Sequence, residues 1–356
     1  MSLKGLHKIV FLVILIYLIT IVLQLLEPKL PSVSVQYASN FEDLLNRRRI
    51  VYLKTEKGEV SYDDLELQVF LPFGYKILLH SIPIPILERI EKMSCHKIFT
   101  EWSSTTANSY MMSPTNISEN LHNIYTMNGY AKFSEGYSTD DDSPVILTWR
   151  KEDIDKYQSE DFEQTLLYGD MQEALYNAIW SYKMDGMEGL VIGSIVPWVE
   201  ANCLKHGARK IVASGFHRVN VDYPELSFSS QQELASQSIS NPQSFDFIIM
   251  LSGIASSGLS RDNHEMNGDL MEMLRLQCLL KNEGLIFIAI PVGKDQIIYN
   301  SHRIYGPLRF SMLSEGLQLL SVFSREGKIP FNSKIFIANE AEGTISNIRE
   351  SFGYSE

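Results

Sequence analysis

Four short apolar runs alternate with helical patterns between residues 189 and 291, and this alternation constrains the fold more than any other feature of the chain. The runs span residues 189–192, 210–214, 245–251 and 284–291. Apolar strands separated by helices are typical of a parallel sheet that is buried on both faces. The pattern therefore predicts an α/β domain built on a doubly wound sheet.

In open sheets of this kind, the ligand lies beyond the carboxyl ends of the strands. The residues that follow the predicted strand ends are the candidate cofactor-binding residues, and they are Gly193, Ser194, Ser214, Ser252 and Gly253. The predicted crevice extends over residues 252–257 and 292–295. A helix predicted to begin near residue 197 could also hold a carboxylate or phosphate on its first backbone N–H groups.

A dinucleotide-binding fingerprint requires Gly-x-Gly-x-x-Gly, and only Gly193 of those glycines is present. The second strand should end in an acid that binds a ribose, yet it ends in Ala213, Ser214 and Gly215. Asp222 and Glu225 come later and could substitute only from a loop. We therefore do not expect the usual mode of dinucleotide binding.

The segment after the fourth run, residues 291–310, is dense in functional side-chain types. Its candidate catalytic residues are Asp295 and His302, and its candidate acceptor- or anion-binding residues are Lys294, Arg303, Tyr305 and Arg309. They could form an acid–base or anion-binding cluster, or a buried polar network that fixes the loop to the sheet. We expect Arg303 to be the internal anchor, because Arg has five donors, and His302 to face the crevice.

The polar segment after the third run adds Arg261, His264 and Asp269 to the titratable residues near the predicted crevice. Arg261 is a candidate acceptor-binding residue, whereas His264 could equally be an exposed loop histidine. Asp269 precedes a helical pattern over residues 270–280. It is therefore a candidate catalytic residue, or an acid that stabilises the start of that helix.

Residues 9–26 carry no charge, and eighteen helical residues would span roughly 27 Å of a bilayer core about 30 Å thick. The flanking Lys4 and Lys8 favour a cytoplasmic N-terminus, and no good cleavage site follows the helix. These residues predict an uncleaved signal anchor, so the predicted partners are the membrane and an unidentified acceptor or ligand. The body of the chain is then expected in the secretory-pathway lumen or outside the cell, where Asn116 could carry a glycan.

The predicted organisation is a cytoplasmic tail (1–8), the membrane helix (9–26), a stem (27–40), an irregular α+β cap (41–160), the α/β domain (161–345) and a C-terminal tail (346–356). Strand-like pieces in the cap include residues 65–73. A helix is predicted over 162–182. The segments 316–326 and 333–340 are predicted to close the sheet as its last strands.

The net charge of −12 argues against a nucleic-acid partner, because phosphate backbones are bound by clustered Lys and Arg. Cys95, Cys203 and Cys278 are too scattered for a zinc site or a disulfide scaffold, and no metal site is assigned. Cys203 and Cys278 are predicted to be buried small hydrophobes. Cys95 is the residue that could pair between chains.

The stretches at residues 192–201, 245–254, 258–261, 267–274, 284–295 and 300–310 resemble the domain of unknown function 268 family of nematodes and bacteria. The sequences PVGKD and HRIYGP are the most specific of them, and the resemblance covers roughly residues 160–345. Membership of that family implies a Rossmann-like fold of the class I S-adenosylmethionine-dependent methyltransferase type. An acidic residue and a histidine expected before Gly258 in that family are replaced here by Ala255 and Ser256.

Three functions remain open at this point. The first is methyl transfer, with S-adenosylmethionine bound around Gly193, Ser214 and Ser252. The second is a catalytically inactive binding or scaffolding protein on the same fold, favoured by the missing glycines and acids. The third is a metal-dependent glycosyltransferase using residues 140–142, three consecutive aspartates that could also be a solvated loop.

Overall fold

A five-stranded parallel sheet lies at the centre of the α/β domain. The computed structural model describes residues 51–104, 117–136, 145–159, 170–251, 253–259 and 267–336. The predicted membrane helix, the stem, Asn116, residues 140–142, Ser252 and the segment containing Arg261 and His264 lie outside these described residues. Within the described ranges, no helix has the length and apolar character needed to cross a membrane.

The strands are numbered in chain order, and their bounds are β1 Tyr52–Thr55, β2 Gly58–Ser61, β3 Tyr75–Leu79, β4 Ile86–Arg89, β5 Lys132–Glu135, β6 Ile146–Trp149, β7 Glu188–Ile192, β8 Lys210–Ser214, β9 Arg218–Val221, β10 Leu226–Phe228, β11 Phe245–Met250, β12 Leu280–Ile288, β13 Gln296–Tyr299, β14 His302–Ile304, β15 Val322–Ser324 and β16 Gly327–Ile329.

The α-helices are α1 Tyr62–Leu65, α2 Cys95–Ser104, α3 Glu119–Tyr125, α4 Lys151–Ser159, α5 Asp170–Ser181, α6 Trp198–Lys205, α7 Gln231–Ser240, α8 Gly253–Ser256, α9 Gly268–Leu279 and α10 Pro307–Leu313. A π-helix covers Glu66–Phe70, and 3-10 helices cover Leu71–Phe73 and Ser333–Phe336.

The central sheet has the strand order β10-β8-β7-β11-β12, and every pairing in it is parallel. Numbered within the sheet, this order is 3-2-1-4-5, the order of doubly wound nucleotide-binding folds. The four predicted strands are present, so the predicted α/β class is confirmed. The sequence did not reveal β10, because its three residues are too few to form a recognisable apolar run.

Both faces of the sheet are covered, and alternation along β7 shows how. Leu190 and Ile192 contribute to one apolar cluster, whereas Val191 points to the other. The first cluster includes α9 and α10 and continues into the cap through residues such as Tyr62 and Phe70. The second packs beneath α5 and α6. Each large apolar side chain buried in this way stabilises the fold by about 1.5–3 kcal/mol.

The cap is joined to the α/β domain by strand pairing as well as by packing. β5 pairs with β13, and β6 pairs with β9, so strands on either side of residue 160 share sheets. Residues from 51 onward form one compact unit. The prediction of a strand over residues 65–73 is wrong, because this segment continues helix α1 as π- and 3-10 turns. Gly74, with φ +82°, ends it.

The predicted closing strands of the sheet are not found in the part of the chain that the structure describes. β15 and β16 form a local hairpin instead, in which Ser324 faces Gly327 across a two-residue turn. Gly327 has φ +106°, which a glycine adopts readily. Residues 333–336 form a 3-10 turn rather than a strand. Local hairpin closure therefore replaces the long-range pairing that the sequence predicted.

The cysteine predictions require one correction. Cys95 in α2 and Cys278 in α9 form a disulfide, with their Cα atoms 5.4 Å apart. Cys278 is therefore not a free thiol, and Cys95 pairs within the chain. The two residues are 183 positions apart in the sequence, so only the packing of α2 against α9 brings them together. Cys203 is free and buried, as predicted.

Candidate functional site

The carboxyl ends of β7, β8 and β10 lie side by side at one edge of the sheet. The N–H of Gly193, directly after β7, donates to the Ser214 carbonyl at 2.9 Å. The N–H of Ser229, directly after β10, donates to the Ala213 carbonyl at 3.0 Å. Gly193 has φ +93°, a conformation that side chains with a Cβ rarely adopt. Strands β7, β8 and β10 thus end next to one another at this edge of the sheet.

Four polar side chains at this edge are buried and make no hydrogen bond of ordinary geometry in the described structure, although the Ser194 hydroxyl lies close enough to Glu200 to favour its carboxylate. They are the hydroxyls of Ser194, Ser214 and Ser229 and both carboxyl oxygens of Glu200. We call these residues, together with Gly193, the carboxyl-edge site. Buried polar groups are almost always hydrogen-bonded, so an unpartnered set indicates a bound ligand or water.

Glu200 is the most unusual member of the carboxyl-edge site. It lies in the first turn of α6 and is fully buried. Burial raises the pKa of its carboxyl to about 7, although the nearby Ser194 hydroxyl acts in the opposite direction. Near neutral pH the group can therefore accept a hydrogen bond or a cation as a carboxylate, or donate a hydrogen bond as an acid.

The turn between β7 and α6 is held in place from the cap. The indole Nε1 of Trp149, at the end of β6, donates to the Ile195 carbonyl at 3.1 Å. Trp149 is itself buried in the cluster beneath α6. A rigid turn keeps its ligand-facing groups in one arrangement, which reduces the entropy lost on binding.

The unfolding free energy should fall as pH rises from about 4.5 to about 7. Glu200 binds its proton more tightly in the folded chain, so its contribution is present below the unfolded pKa and is lost as pH rises through the folded pKa. The loss is up to about 3 kcal/mol. Denaturant titrations across this range should show a flatter pH dependence for Glu200→Gln than for the native chain. Glu225→Gln, at an exposed position, is the control; an unchanged slope in Glu200→Gln would contradict the assignment.

A second polar cluster lies under the loop after β12. Its members are buried and contact one another. Asp269 accepts two hydrogen bonds from Arg309, from Nε at 2.9 Å and from Nη2 at 2.5 Å. The Tyr305 hydroxyl donates to the same carboxylate at 3.1 Å. Arg303 Nε lies 3.5 Å from Asp269 Oδ1. Burial favours the neutral acid, but the charges of the two arginines hold the pKa of Asp269 below its usual value.

Arg303 also ties β14 to the end of α8. Its Nη1 donates to the Ser257 carbonyl at 2.6 Å and to the Ala255 carbonyl at 3.4 Å. The side chain is 1% exposed. Arg303 is therefore part of a buried polar network, which is one of the two arrangements considered from the sequence.

Asp295 holds the start of α10. Its carboxylate accepts hydrogen bonds from the backbone N–H groups of Gly306, Leu308 and Arg309, at 2.9–3.0 Å. Burial raises the pKa of Asp295 to about 6, although these donors favour the charged form. A Cβ at position 306 would come within 2.2 Å of the Asp295 backbone nitrogen, so only glycine fits there.

The sequence-predicted residues thus separate into groups. Asp269, Asp295, Arg303, Tyr305 and Arg309 are buried together, whereas Lys294 is exposed. His302 is half-buried, with Nδ1 2.7 Å from the Ser301 hydroxyl. Gly253 begins α8. The catalytic or binding roles that the sequence suggested for these residues stay predictions.

Sequence reasoning missed Glu200 and Ser229. The signal for Glu200 was a lone acid within the apolar helix that follows Gly193, and the signal for Ser229 was a serine directly after a short strand.

His302 borders a cleft of about 1390 Å³ along the free edge of β12. This cleft is lined mainly by apolar side chains, including Leu285, Phe287 and Leu317. It does not include the carboxyl-edge site. Ligand sites usually combine an apolar wall with a few convergent polar groups, and the serine hydroxyls and the Glu200 carboxyl of the carboxyl-edge site lie outside this cleft. Among the described residues, no group of His, Cys, Asp and Glu side chains could hold a metal ion.

Comparison with known protein families gives one match. Residues 186–347 match the family described as Caenorhabditis protein of unknown function, DUF268. No curated protein matches the chain. The matched region spans less than half of the chain and contains the central sheet, the carboxyl-edge site and the buried cluster around Asp269. Over these residues the chain is similar to a Caenorhabditis family of unknown function, which supports the family resemblance noted in the sequence.

Proposed function

We propose that the carboxyl-edge site binds S-adenosylmethionine, and that the protein is a methyltransferase-like protein of the secretory pathway. The observation that carries the proposal is the set of three buried serine hydroxyls at the carboxyl ends of three neighbouring parallel strands, together with the buried carboxyl of Glu200 in the first turn of α6. The 3-2-1-4-5 strand order supports it, because ligands of doubly wound sheets bind at that edge.

The residues present fit this ligand in chemical terms. S-adenosylmethionine carries two cationic groups, an ammonium and a sulfonium, and a ribose with two hydroxyls. Glu200 would pair with a cationic group, and the hydroxyls of Ser214 and Ser229 would hold the ribose in place of the missing strand-end acid. When bound, this cofactor supplies an electrophilic methyl group. Gly193 and Ser194 would bind it through the turn that Trp149 holds rigid.

A second function, binding without catalysis, is favoured by the buried cluster. Asp269 and Asp295 already accept hydrogen bonds from several partners. A general base must reach the proton that it removes, and these acids face protein donors. A protein that binds the cofactor or its product, without transferring the methyl group, is consistent with that arrangement.

Placement in the lumen or outside the cell is part of the proposal. The predicted anchor at residues 9–26 requires it, and the Cys95–Cys278 disulfide supports it because disulfides persist in oxidising compartments.

Calorimetry on the full-length chain in detergent, with S-adenosylmethionine and S-adenosylhomocysteine, tests the proposed ligand. We expect binding, and we expect Ser194→Ala and Ser214→Ala each to weaken it about 5- to 10-fold through loss of one hydrogen bond. Ser236→Ala, at an exposed position of α7, should leave affinity unchanged. Binding without methyl transfer to any tested acceptor would favour the second function. Absence of binding, or binding that ignores both substitutions, would overturn the proposed site.

A further inference from the structure

The β3–β4 hairpin and its connecting loop expose large apolar side chains. Four of them define what we call the hairpin patch: Leu78 (61% exposed), Ile82 (75%), Ile86 (48%) and Ile90 (53%). Single exposed hydrophobic residues are ordinary, but several on one small surface indicate an interaction site.

The strand register explains why these side chains are exposed. Tyr75 and Leu87 point into the core, and the ion pair between Lys76 and Glu88 lies on the opposite, outer face. Because side chains alternate between faces, Ile86 and Ile90 lie on that outer face with Glu88. Leu78 lies at an irregularity of β3, and Ile82 lies in the connecting loop. A hairpin whose outer face is entirely polar would be the usual result, so the exposed apolar side chains beside the ion pair need an explanation.

The charge around the hairpin patch differs from that of the whole chain. Residues 74–97 contain four basic and two acidic side chains, whereas the chain has a net charge of −12. Lys76 and Lys92 both lie beside Glu88, at 3.0 and 3.8 Å, so the charges next to the patch largely balance, and the apolar side chains can enter a headgroup region while the lysine stems reach its polar layer.

The hairpin patch also lies close to the point where the compact unit begins. The Tyr62 N–H donates to the Val51 carbonyl at 2.9 Å. The hydroxyl of the same tyrosine donates to the Ser81 carbonyl at 2.7 Å, next to Ile82. One tyrosine side chain thus separates the loop of the hairpin patch from residue 51, the first residue of the compact unit.

We propose that the hairpin patch lies against the lipid bilayer surface. This inference rests on the membrane anchor in the proposed function. The anchor predicted at residues 9–26 leaves 24 residues before Val51, a linker that reaches at most about 80 Å when fully extended and so raises the effective concentration of the bilayer at the patch. Tethering makes surface contact effectively intramolecular, and a small patch with weak intrinsic affinity is then sufficient. An untethered protein partner would require a larger interface, of about 1,000 Å² or more.

Fluorescence quenching in nanodiscs tests the contact. The full-length chain carrying Ile82→Cys is labelled with an environment-sensitive fluorophore and placed in phosphatidylcholine nanodiscs, with or without nitroxide-labelled lipid. Labelling is selective because Cys203 is buried and Cys95 is bonded to Cys278. The matched control is Phe216→Cys, exposed in the loop after β8.

We expect nitroxide lipid to quench the label at position 82 and to leave the label at position 216 unaffected. Adding Leu78→Ser and Ile86→Ser to the Ile82→Cys chain should reduce the quenching. A chain that is incorporated into the nanodiscs but is not quenched at position 82 would overturn the hairpin-patch proposal alone. A shielded but unquenched label would point to a protein partner or a second copy, and would also overturn it. Failure of the chain to enter nanodiscs would overturn the anchor and the patch together.

Discussion

Replacing Asp269 with alanine is expected to lower the free energy of unfolding by about 3–5 kcal/mol. The substitution leaves the buried guanidinium groups of Arg303 and Arg309 without their shared carboxylate, and it also removes the nearer of the two acceptors of the Tyr305 hydroxyl. Removing one partner of a buried ion pair is costly because the remaining charge stays in a medium of low dielectric constant. Urea denaturation of the native chain and the variant measures the difference.

Asp155→Ala is the matched control for this measurement. Asp155 also pairs with a basic side chain, Lys151, at 2.6 Å, but both groups are exposed. An exposed pair one helical turn apart contributes about 0.3–0.5 kcal/mol, so this variant should be nearly as stable as the native chain. Equal losses in the two variants would mean that the Asp269 cluster does not carry the stability assigned to it.

Loss of the Cys95–Cys278 disulfide should lower the free energy of unfolding by about 2–5 kcal/mol. The bond closes a long loop between the cap and α9, and it therefore restricts the unfolded chain strongly. The double variant Cys95→Ala, Cys278→Ala should unfold at a lower denaturant concentration than the oxidised native chain. Reductant should destabilise the native chain and leave the double variant unchanged.

The same bond also tests the proposed compartment. Cells are treated with a membrane-permeable alkylating agent before lysis, which traps each cysteine in its cellular state. A lumenal or extracellular chain should show Cys95 and Cys278 protected and joined. Fully alkylated Cys95 and Cys278 in the cell would argue against that placement.

The sequence was most informative where the physical signal is local. Strands β7, β8, β11 and β12 are buried on both faces, so each reads as an apolar run. The segment over 65–73 is equally apolar, but it follows a helix capped by Ser61, and its side chains fit a helical surface as well as a strand. Apolar character alone does not distinguish these two cases.

The candidate site was predictable only in part, because burial depends on distant packing. Gly193, Ser194 and Ser214 follow from the rule that ligands lie at strand ends. Glu200 was missed, since a lone acid in an apolar helix is a weak signal, and its complete burial depends on how α6 packs against the sheet. The sequence also left open whether Arg303 and Arg309 face a crevice or the interior, because that choice depends on where Asp269 lies after folding.

The apolar cluster that the cap shares with the sheet bears on how such a protein can evolve. Leu190, Ile192 and Ile248 pack in the same cluster as Tyr62 and Phe70, so one face of the sheet in the region similar to the Caenorhabditis family is buried partly by the cap. Substitutions in the cap and in the sheet must therefore compensate for each other. A larger side chain on one side of their shared cluster requires a smaller side chain on the other. A recombination event that transferred residues 186–347 alone would carry half of an interface, and the recipient would have to supply the other half.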